Sequence, residues 1–428
     1  RYEEKLLKFI EHKKEVSIED LSYTLQIGRK QFDFRKYLIV KEGDDLIQAL
    51  KDKNTFATAL SPKNNIIFMF SGQGSQYVNM GKELYQTYPL FKETLDQGLL
   101  YLKEFNDFDY KNILFNADAV ADTRINETLF TQPILFLFEY TLAQLLISFG
   151  VKPNYMIGHS LGEYVAATIG GVFTFKDALK IVAKRAELMS KVPKGEMLSI
   201  GISINQIKKE IIEGVSVAAI NAHDSFVVSG TETSIALVKK QLEEEEIPFV
   251  LLKTSHAFHS TMMNEIQEDF EKELESITLQ KSEIPFISNI TGKFITDEES
   301  TSIKYWSNHI LEKVEFEKGI KELIALNNSL FIEVGPGRTL ATFYKKSQNT
   351  NLENDVITTV KHHKETVDDD KYFADFLGQL WSNGIDINWE VYYEGGKPNR
   401  LSIPTYDFDR YDVPSKVTSP LGIGTEAY

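Results

Sequence analysis

The chain has 428 residues, of which 42% are hydrophobic, so it is too long for one ordinary domain and has ample apolar sequence for sizeable cores. Its 47 basic and 62 acidic side chains give a net charge of −15 at pH 7, which argues against nucleic acid or an anionic membrane as the main partner. There is no cysteine, which excludes disulfides, a cysteine nucleophile and cysteine-ligated zinc.

Residues 1–62 predict a small αβ unit. Leu6, Leu7 and Ile10 share one face of a first helix, and a second helix begins at Ser17 and closes at Gly28. Residues 35–40 predict a strand, and residues 44–53 predict a third helix. The chain opens inside a charged helical pattern, as expected for a segment excised from a larger protein.

Two short apolar runs, residues 66–70 and 155–157, predict buried parallel strands that each end in a glycine-rich turn. Helical periodicity covers residues 77–105 and 126–149. The apolar stretch 132–149 contains Glu139 and Gln144, so it predicts a buried helix rather than a membrane span. Strands that deliver glycine-rich turns into helices indicate an α/β sheet whose site lies at the carboxyl ends of the strands.

Residues 197–254 follow a different pattern. They predict the order βαββαβ, with one helix at 205–212, and this order is typical of a ferredoxin-like subdomain. The larger core resumes with a helix at 260–277, strands at 285–290 and 331–334, and a last helix at 373–383.

The segment Gly158-His159-Ser160-Leu161-Gly162 has the pattern of a nucleophile elbow, which exposes a serine hydroxyl at a helix N-terminus. The pattern alone is weak, because it arises by chance in about one chain in seven of this length. An unactivated serine needs a base. Among eight histidines, His256 and His259 follow the last strand of the small subdomain. They are predicted to line a cleft between that subdomain and the larger core. No carboxylate or further histidine accompanies their i,i+3 spacing, so we expect no metal there.

Six motifs occur in a fixed order, and together they carry a resemblance to a known family. They are GQGSQ at 72–76, GHSLGE at 158–163, KRAELM around Arg185, INAHDSFVVSG around Asn221, HAFHS at 256–260 and EVGPG at 333–337. In this order they resemble the malonyl-CoA:acyl carrier protein acyltransferases, and specifically the acyltransferase domains of type I modular polyketide synthases. The flanks are similar to that family's ketosynthase-to-acyltransferase linker and post-acyltransferase linker, so the resemblance covers nearly the whole chain.

The resemblance implies a fold and a division of the chain. The fold class is α/β: an α/β-hydrolase-like core with a parallel sheet, an inserted ferredoxin-like βαββαβ subdomain and a small N-terminal αβ linker domain. The implied parts are the first linker at 1–62, the large subdomain at 63–195 and 262–360, the small subdomain at 196–261 and the second linker at 361–428.

The resemblance also implies the catalytic residues. Ser160 is the nucleophile and His259 the general base, and the backbone N–H groups of Gln73 and Leu161 form the oxyanion hole. A backbone carbonyl, assigned to His309, orients the base in place of a carboxylate.

The implied substrate contacts centre on Arg185, which pairs with the free carboxylate of a malonyl group through two parallel hydrogen bonds. Phe258 in the His-Ala-Phe-His motif fills the space that a 2-methyl group needs, as methylmalonyl enzymes carry serine there. The remaining substrate-site residues are His256, Asn221, His159 and Ser190. Serine stands at position 190 where the family often has glutamine, and this change could loosen selectivity.

The function implied is ping-pong transfer of malonyl from malonyl-CoA to the phosphopantetheine thiol of an acyl carrier protein, for polyketide biosynthesis. No permanently bound cofactor and no metal are expected. The expected partners are that carrier protein and an adjacent ketosynthase domain, without nucleic acid or membrane, in the cytoplasm. Two alternatives stay open: a serine thioesterase or acyl hydrolase, and a non-catalytic docking module.

Overall fold

A computed structural model describes residues 2–13, 16–41, 46–52, 58–59, 62–115, 123–348, 353–406 and 408. The helices in these ranges are α1 Tyr2–His12, α2 Ile18–Ile27, α3 Leu46–Lys51, α4 Lys82–Thr87, α5 Pro89–Phe105, α6 Tyr110–Leu114, α7 Thr128–Ser148, α8 Leu161–Ile169, α9 Phe175–Lys191, α10 Glu232–Glu244, α11 Asn264–Leu274, α12 Asp297–Ser300, α13 Ile303–Asn308, α14 Phe316–Ile324, α15 Thr339–Ser347, α16 Asp369–Ser382 and α17 Trp389–Tyr392. The strands are β1 Phe34–Arg35, β2 Thr58–Ala59, β3 Asn65–Phe70, β4 Tyr155–Gly158, β5 Glu196–Ile200, β6 Ser216–Ala222, β7 Ser225–Gly230, β8 Phe249–Leu251, β9 Phe286–Ile287, β10 Ser329–Pro336 and β11 Asp355–Val360.

The chain divides into two units, and the smaller one gathers Arg1–Lys30, Val40–Phe56 and Pro398–Tyr428. Its core is formed by Leu6 and Ile10 of α1, Leu21 of α2 and Ile403 from the C-terminal segment. The hydroxyl of Ser17 accepts a hydrogen bond from the Asp20 N–H at 3.1 Å, which caps α2 as the sequence predicts.

The larger unit, Gln31–Ile39 and Ala57–Lys397, is built on a five-stranded sheet in the order β11-β10-β3-β4-β9. All four neighbouring pairs are parallel. The predicted mixed α/β fold with a parallel sheet is therefore confirmed. Because the strands are parallel, the turns after β3, β4, β9 and β10 all leave the same edge of the sheet, which is where such folds carry their sites.

A second sheet holds four antiparallel strands in the order β6-β7-β5-β8. In chain order these are strands 2-3-1-4, the arrangement predicted for the ferredoxin-like subdomain. Its own core includes Leu198, Phe226 and Ile235. The edge strand β6 is hydrogen-bonded to the large subdomain, since Ile220 N–H donates to Val314 O and Val314 N–H donates to Ala218 O, both at 2.9 Å.

Helix α7 is the one helix within the described ranges that is long and apolar enough to cross a membrane by length and composition. In the window that meets the test 83% of residues are buried inside the protein. The core helix of a globular domain can be equally long and apolar. Because most of α7 is buried inside the protein, the prediction of a buried helix is confirmed.

Four predicted elements differ from the structure. Of the predicted strand at 35–40 only Arg35 is in a strand, the two-residue β1, where it pairs with Thr58 of β2. The helix at 205–212 is a 3₁₀ turn at Lys209–Ile212, from which Ile211 still reaches the core of the small subdomain. The helical region 77–105 is interrupted at Tyr88, because the following Pro89 disfavours a helical conformation at this residue. The strand at 285–290 stops at Ile287, and the next residues serve the site instead.

Strand β11 was not predicted, because it lies in a stretch interpreted as a polar boundary, although its residues 356–360 are all β-branched; it pairs in parallel with β10. Helix α16 was predicted at 373–383 and packs Phe373, Phe376, Leu377 and Leu380 into the core of the larger unit. The domain boundaries given above stay predictions.

Candidate active site

The turn after β4 holds Ser160 in a strained backbone conformation. Its φ of 51° and ψ of −106° are unusual for a residue with a side chain, and they place Ser160 as the N-cap of α8. The two flanking glycines are required by close packing. A Cβ on Gly158 would lie 2.0 Å from the Gly162 carbonyl carbon, and a Cβ on Gly162 would lie 2.1 Å from the Phe70 oxygen. The elbow pattern therefore corresponds to a real strand-turn-helix.

The hydroxyl of Ser160 is hydrogen-bonded to an imidazole. Ser160 Oγ lies 2.7 Å from His259 Nε2, and His259 Nδ1 lies 2.8 Å from the backbone oxygen of Glu312. A carbonyl can only accept, so Nδ1 carries the hydrogen and Nε2 is free to accept the serine proton. This is the geometry that a nucleophile and its general base require.

The carbonyl that orients His259 belongs to Glu312, and its assignment to His309 was wrong. His309 follows the end of α13, and its side chain turns into the core, where Nε2 lies 3.0 Å from Glu163 Oε2. The chain continues through a turn in which Leu311 N–H donates to Asn308 O. This turn brings the carbonyl three residues further along to the base.

Burial holds the pKa of His259 well below its usual value, because desolvation disfavours the charged ring. The neighbouring His309, Arg185 and His159 lower the pKa further, while the hydrogen bond to Glu312 opposes the shift. The imidazole is therefore held in the neutral form that can accept a proton.

Arg185 reaches the nucleophile from α9. Its Nη2 donates to Ser160 Oγ at 3.3 Å, and its Nη1 donates to Gln132 Oε1 at 2.5 Å. The side chain is 2% exposed, and its guanidinium lies 5.5 Å from the ring centroid of Tyr164. Within the described ranges no Asp or Glu forms an ion pair with it, and Nε is buried without a hydrogen-bond partner. A buried cation left without an anion beside a nucleophile is a ready site for a carboxylate.

Two of the other predicted substrate-site residues, His159 and Phe258, are chain neighbours of Ser160 and His259. His159 Nε2 donates to Asn221 Oδ1 at 2.8 Å, so these two form a pair. Phe258 is buried, and its ring centroid lies 6.1 Å from that of His256. His256 Nδ1 lies 2.8 Å from Ser255 Oγ. The hydroxyl of Ser190 bonds back to the Glu187 oxygen of its own helix at 2.7 Å.

The loop that contains Gln73 follows β3 and is held by a buried carboxyl. Ser71 donates from N–H at 2.9 Å and from Oγ at 2.5 Å to Glu139 Oε1. The Gln73 side chain donates to Thr128 Oγ1 at 3.3 Å. Leu161 is the first residue of α8, so its N–H has no acceptor within the helix. The use of these two backbone N–H groups as an oxyanion hole stays a prediction.

Sequence reasoning missed several residues that contact the centre. Gln132 holds Arg185, and a network behind the elbow contains Glu163, Ser288, Asn289 and Tyr305. Glu163 offers a signal, since it is a carboxylate in an otherwise apolar helix directly after the elbow. Asn289 gives none, because its partners are far away in sequence. In the described part of the chain no group of three His, Asp or Glu is placed to hold a metal ion.

Comparison with known proteins agrees with the fold. A family model described as Acyl transferase domain matches residues 67–386, and one described as CurL-like, PKS C-terminal matches residues 1–50. Among solved structures the chain is similar to the Acyl Transferase domain of ZmaA, with a TM-score of 0.87, 35% identity and coverage of 94% of this chain and 95% of that one. It is also similar to malonyl CoA-acyl carrier protein transacylase from Clostridium perfringens, with a TM-score of 0.64, 29% identity and coverage of 74% and 97%.

Curated relatives are much longer than this chain. It is 31% identical to a component of the phenolphthiocerol/phthiocerol polyketide synthase of Mycobacterium tuberculosis, over 83% of this chain and 24% of that protein. It is 30% identical to polyketide synthase GfsA of Streptomyces halstedii, over 93% of this chain and 6% of that protein. The chain therefore spans about a quarter or less of the length of these relatives. It belongs to the acyl transferase domain family, in the form found in type I modular polyketide synthases.

Proposed function

We propose that this domain transfers malonyl from malonyl-CoA to the phosphopantetheine thiol of an acyl carrier protein, through an ester on Ser160, for polyketide biosynthesis. Membership of the family establishes that the domain transfers acyl groups. The identity of the acyl group, the acceptor and the covalent route are what we propose. An adjacent ketosynthase domain, a cytoplasmic setting, and the absence of nucleic acid, membrane, metal or bound cofactor belong to the same proposal.

The observation that carries the malonyl assignment is the guanidinium of Arg185, which lies 3.3 Å from Ser160 Oγ and has no acidic partner in the part of the chain that the structure describes. Burying a cation is costly unless an anion joins it, so this site favours an acyl group that brings its own carboxylate. A malonyl group has its carboxylate on the carbon next to the thioester carbonyl, which fits a guanidinium placed beside the nucleophile. A neutral acetyl group would leave the buried charge uncompensated.

The proposed reaction follows from the hydrogen bond between Ser160 and His259, along which a proton can pass. Ser160 Oγ attacks the thioester carbon while His259 Nε2 accepts the hydroxyl proton; the C–S bond breaks, and the proton passes to the coenzyme A sulfur. In the second half the carrier thiol gives its proton to His259 and attacks the ester carbon. The C–O bond then breaks, and the proton returns to Ser160.

Intact mass measurement tests the proposal and separates it from its rivals. We expect one malonyl adduct within seconds of mixing with malonyl-CoA, and its loss when a carrier protein with free phosphopantetheine is added. Steady release of coenzyme A without an adduct, unaffected by substitution of Arg185, would instead indicate a serine hydrolase. Neither adduct nor release would indicate a non-catalytic module.

Replacing Phe258 with serine is expected to narrow the preference for malonyl-CoA over methylmalonyl-CoA by about 10-fold or more. The buried ring fills space that a 2-methyl group needs, and shape discrimination of one methyl is worth about 1–3 kcal/mol. The ratio of initial acylation rates measures the change. Phe258→Leu, which keeps an apolar side chain, is the control, and an unchanged ratio in Phe258→Ser would contradict the assignment.

The acylation rate is expected to stay level as the pH falls from 8 through 6.5, and to decrease only at more acidic pH. His259 must be neutral to accept the proton, and its pKa lies well below its ordinary value, so the base form persists below pH 6.5. Single-turnover acylation across this range tests the expectation, with the melting temperature followed at each pH. A half-maximal rate at pH 6.5 in the folded protein would refute it.

A further inference from the structure

We propose that Asn289 is a positioning residue for the nucleophile: it fixes the strained backbone of Ser160, takes the Ser160 N–H out of the oxyanion hole, and joins the elbow to the segment that orients His259. This inference rests on the proposed acyl-enzyme route.

Asn289 contacts both sides of the elbow. It lies just beyond β9, is 3% exposed, and accepts a hydrogen bond from Ser160 N–H at Oδ1 over 2.6 Å. Its Nδ2 donates to Gly158 O at 2.7 Å. One amide thus spans the turn on which the nucleophile lies, and it is placed to hold a positive φ that is strained in a residue with a side chain.

These contacts also decide which donors can face an oxyanion. The Ser160 N–H is occupied by Asn289, whereas Leu161 begins α8 and its N–H has no acceptor within the helix. The predicted role of Leu161 as an oxyanion donor therefore depends on a backbone orientation that Asn289 maintains.

Asn289 is itself held by a buried carboxylate. Its N–H donates to Glu163 Oε2 at 2.8 Å, and the same carboxylate is bonded to His309 Nε2 at 3.0 Å and to the Tyr305 hydroxyl. The hydroxyl of Ser288 lies 2.7 Å from the Tyr305 oxygen, which accepts from it, so the chain after β9 is held at two successive residues, Ser288 and Asn289.

The same network leads to the base. His309 lies three residues before Glu312, whose carbonyl accepts the His259 Nδ1 hydrogen. Ser160 and His259 lie on different segments of the chain, yet hydrogen bonds connect both of them to the region 303–312. The 2.7 Å separation of Ser160 Oγ and His259 Nε2 is therefore set by contacts behind the site as well as within it.

The test compares Asn289→Ala with Asn354→Ala, a matched control. Asn354 is also buried at 4% exposure, accepts from Ser329 N–H at 2.8 Å and donates to Ile324 O at 2.9 Å. Its partner Ser329 begins β10, at the opposite end of the sheet from the elbow. Each substitution removes one side-chain amide that joins two backbone groups.

Two rates are measured: single-turnover malonylation, and labelling by a fluorophosphonate that modifies the serine hydroxyl without needing Arg185. We expect Asn289→Ala to slow both by about 10- to 100-fold with little change in KM for malonyl-CoA. Asn354→Ala should change the melting temperature similarly and neither rate by more than about 2-fold. Equal rate losses in both variants, or a full-rate Asn289→Ala, would overturn the proposal. If wild type reacts with the fluorophosphonate but not with malonyl-CoA, the malonyl assignment fails while the positioning role can still be read.

Asn289→Asp covers the case in which the alanine variant does not fold. Its new carboxyl keeps an acceptor for the Ser160 N–H, but donates to Gly158 O only when protonated. Glu163 accepts from the N–H of this residue, Tyr305 and His309 are bonded to Glu163, and a carboxylate this close favours protonation of the new carboxyl. We expect its fluorophosphonate labelling, relative to wild type at the same pH, to be faster at pH 6 than at pH 8. A relative rate independent of pH in the folded variant would contradict the role.

Discussion

Ser160→Ala is expected to abolish the malonyl adduct and to slow transfer by about 10⁴-fold or more, the order of loss seen when a covalent nucleophile is removed. The hydroxyl accepts from Arg185 and donates to His259, so the substitution removes the attacking atom and leaves both partners in place. Intact mass after mixing with malonyl-CoA measures the adduct, and transfer to a carrier protein measures the rate.

Ser148→Ala is the control for loss of a serine hydroxyl, because that side chain bonds the Leu145 carbonyl of its own helix. It should acylate as wild type does. An adduct of the same mass in Ser160→Ala, located on another residue, would remove Ser160 from the mechanism.

Arg185→Ala is expected to slow malonylation by about 10- to 150-fold, with acetylation from acetyl-CoA affected far less. Losing a charge-assisted pair costs about 1.5–3 kcal/mol, and each 1.36 kcal/mol is a factor of ten in rate. The ratio of the two acylation rates is the measurement, because a general loss of folding would lower both.

Arg185→Lys separates charge from geometry. Lysine keeps the positive charge but cannot form two parallel hydrogen bonds, so we expect an intermediate rate with malonyl-CoA. If the alanine variant kept its preference for malonyl-CoA over acetyl-CoA, the carboxylate of the substrate would have to bind elsewhere.

The sequence predicted the residues whose local pattern is strong. Gly158 and Gly162 form a recognisable local motif, although only the clash at Gly158 is local: a Cβ there would meet Gly162, whereas a Cβ on Gly162 would meet Phe70 on the neighbouring strand. The order βαββαβ likewise predicted the small subdomain. By contrast, β11 was missed although its residues 356–360 are all β-branched, because the run is short and surrounded by polar residues, and its pairing with β10 is decided by the tertiary structure.

The errors at the site come from contacts that no local pattern encodes. The choice between the carbonyls of His309 and Glu312 depends on how the chain turns after α13, over only three residues. Asn289 contacts residues 129 and 131 positions earlier in the chain, so its role requires the folded structure.

Ser160 and His259 share a feature that reaches beyond the reaction: each has a side chain and a positive φ, of 51° and 54°. Such residues cost about 1–3 kcal/mol each, and glycine would remove that cost. The two positions that exchange the proton are thus among those where this domain gives up stability for activity. Engineering for thermal robustness should leave both untouched and look for its gains in the caps, loops and surface charges of the other elements.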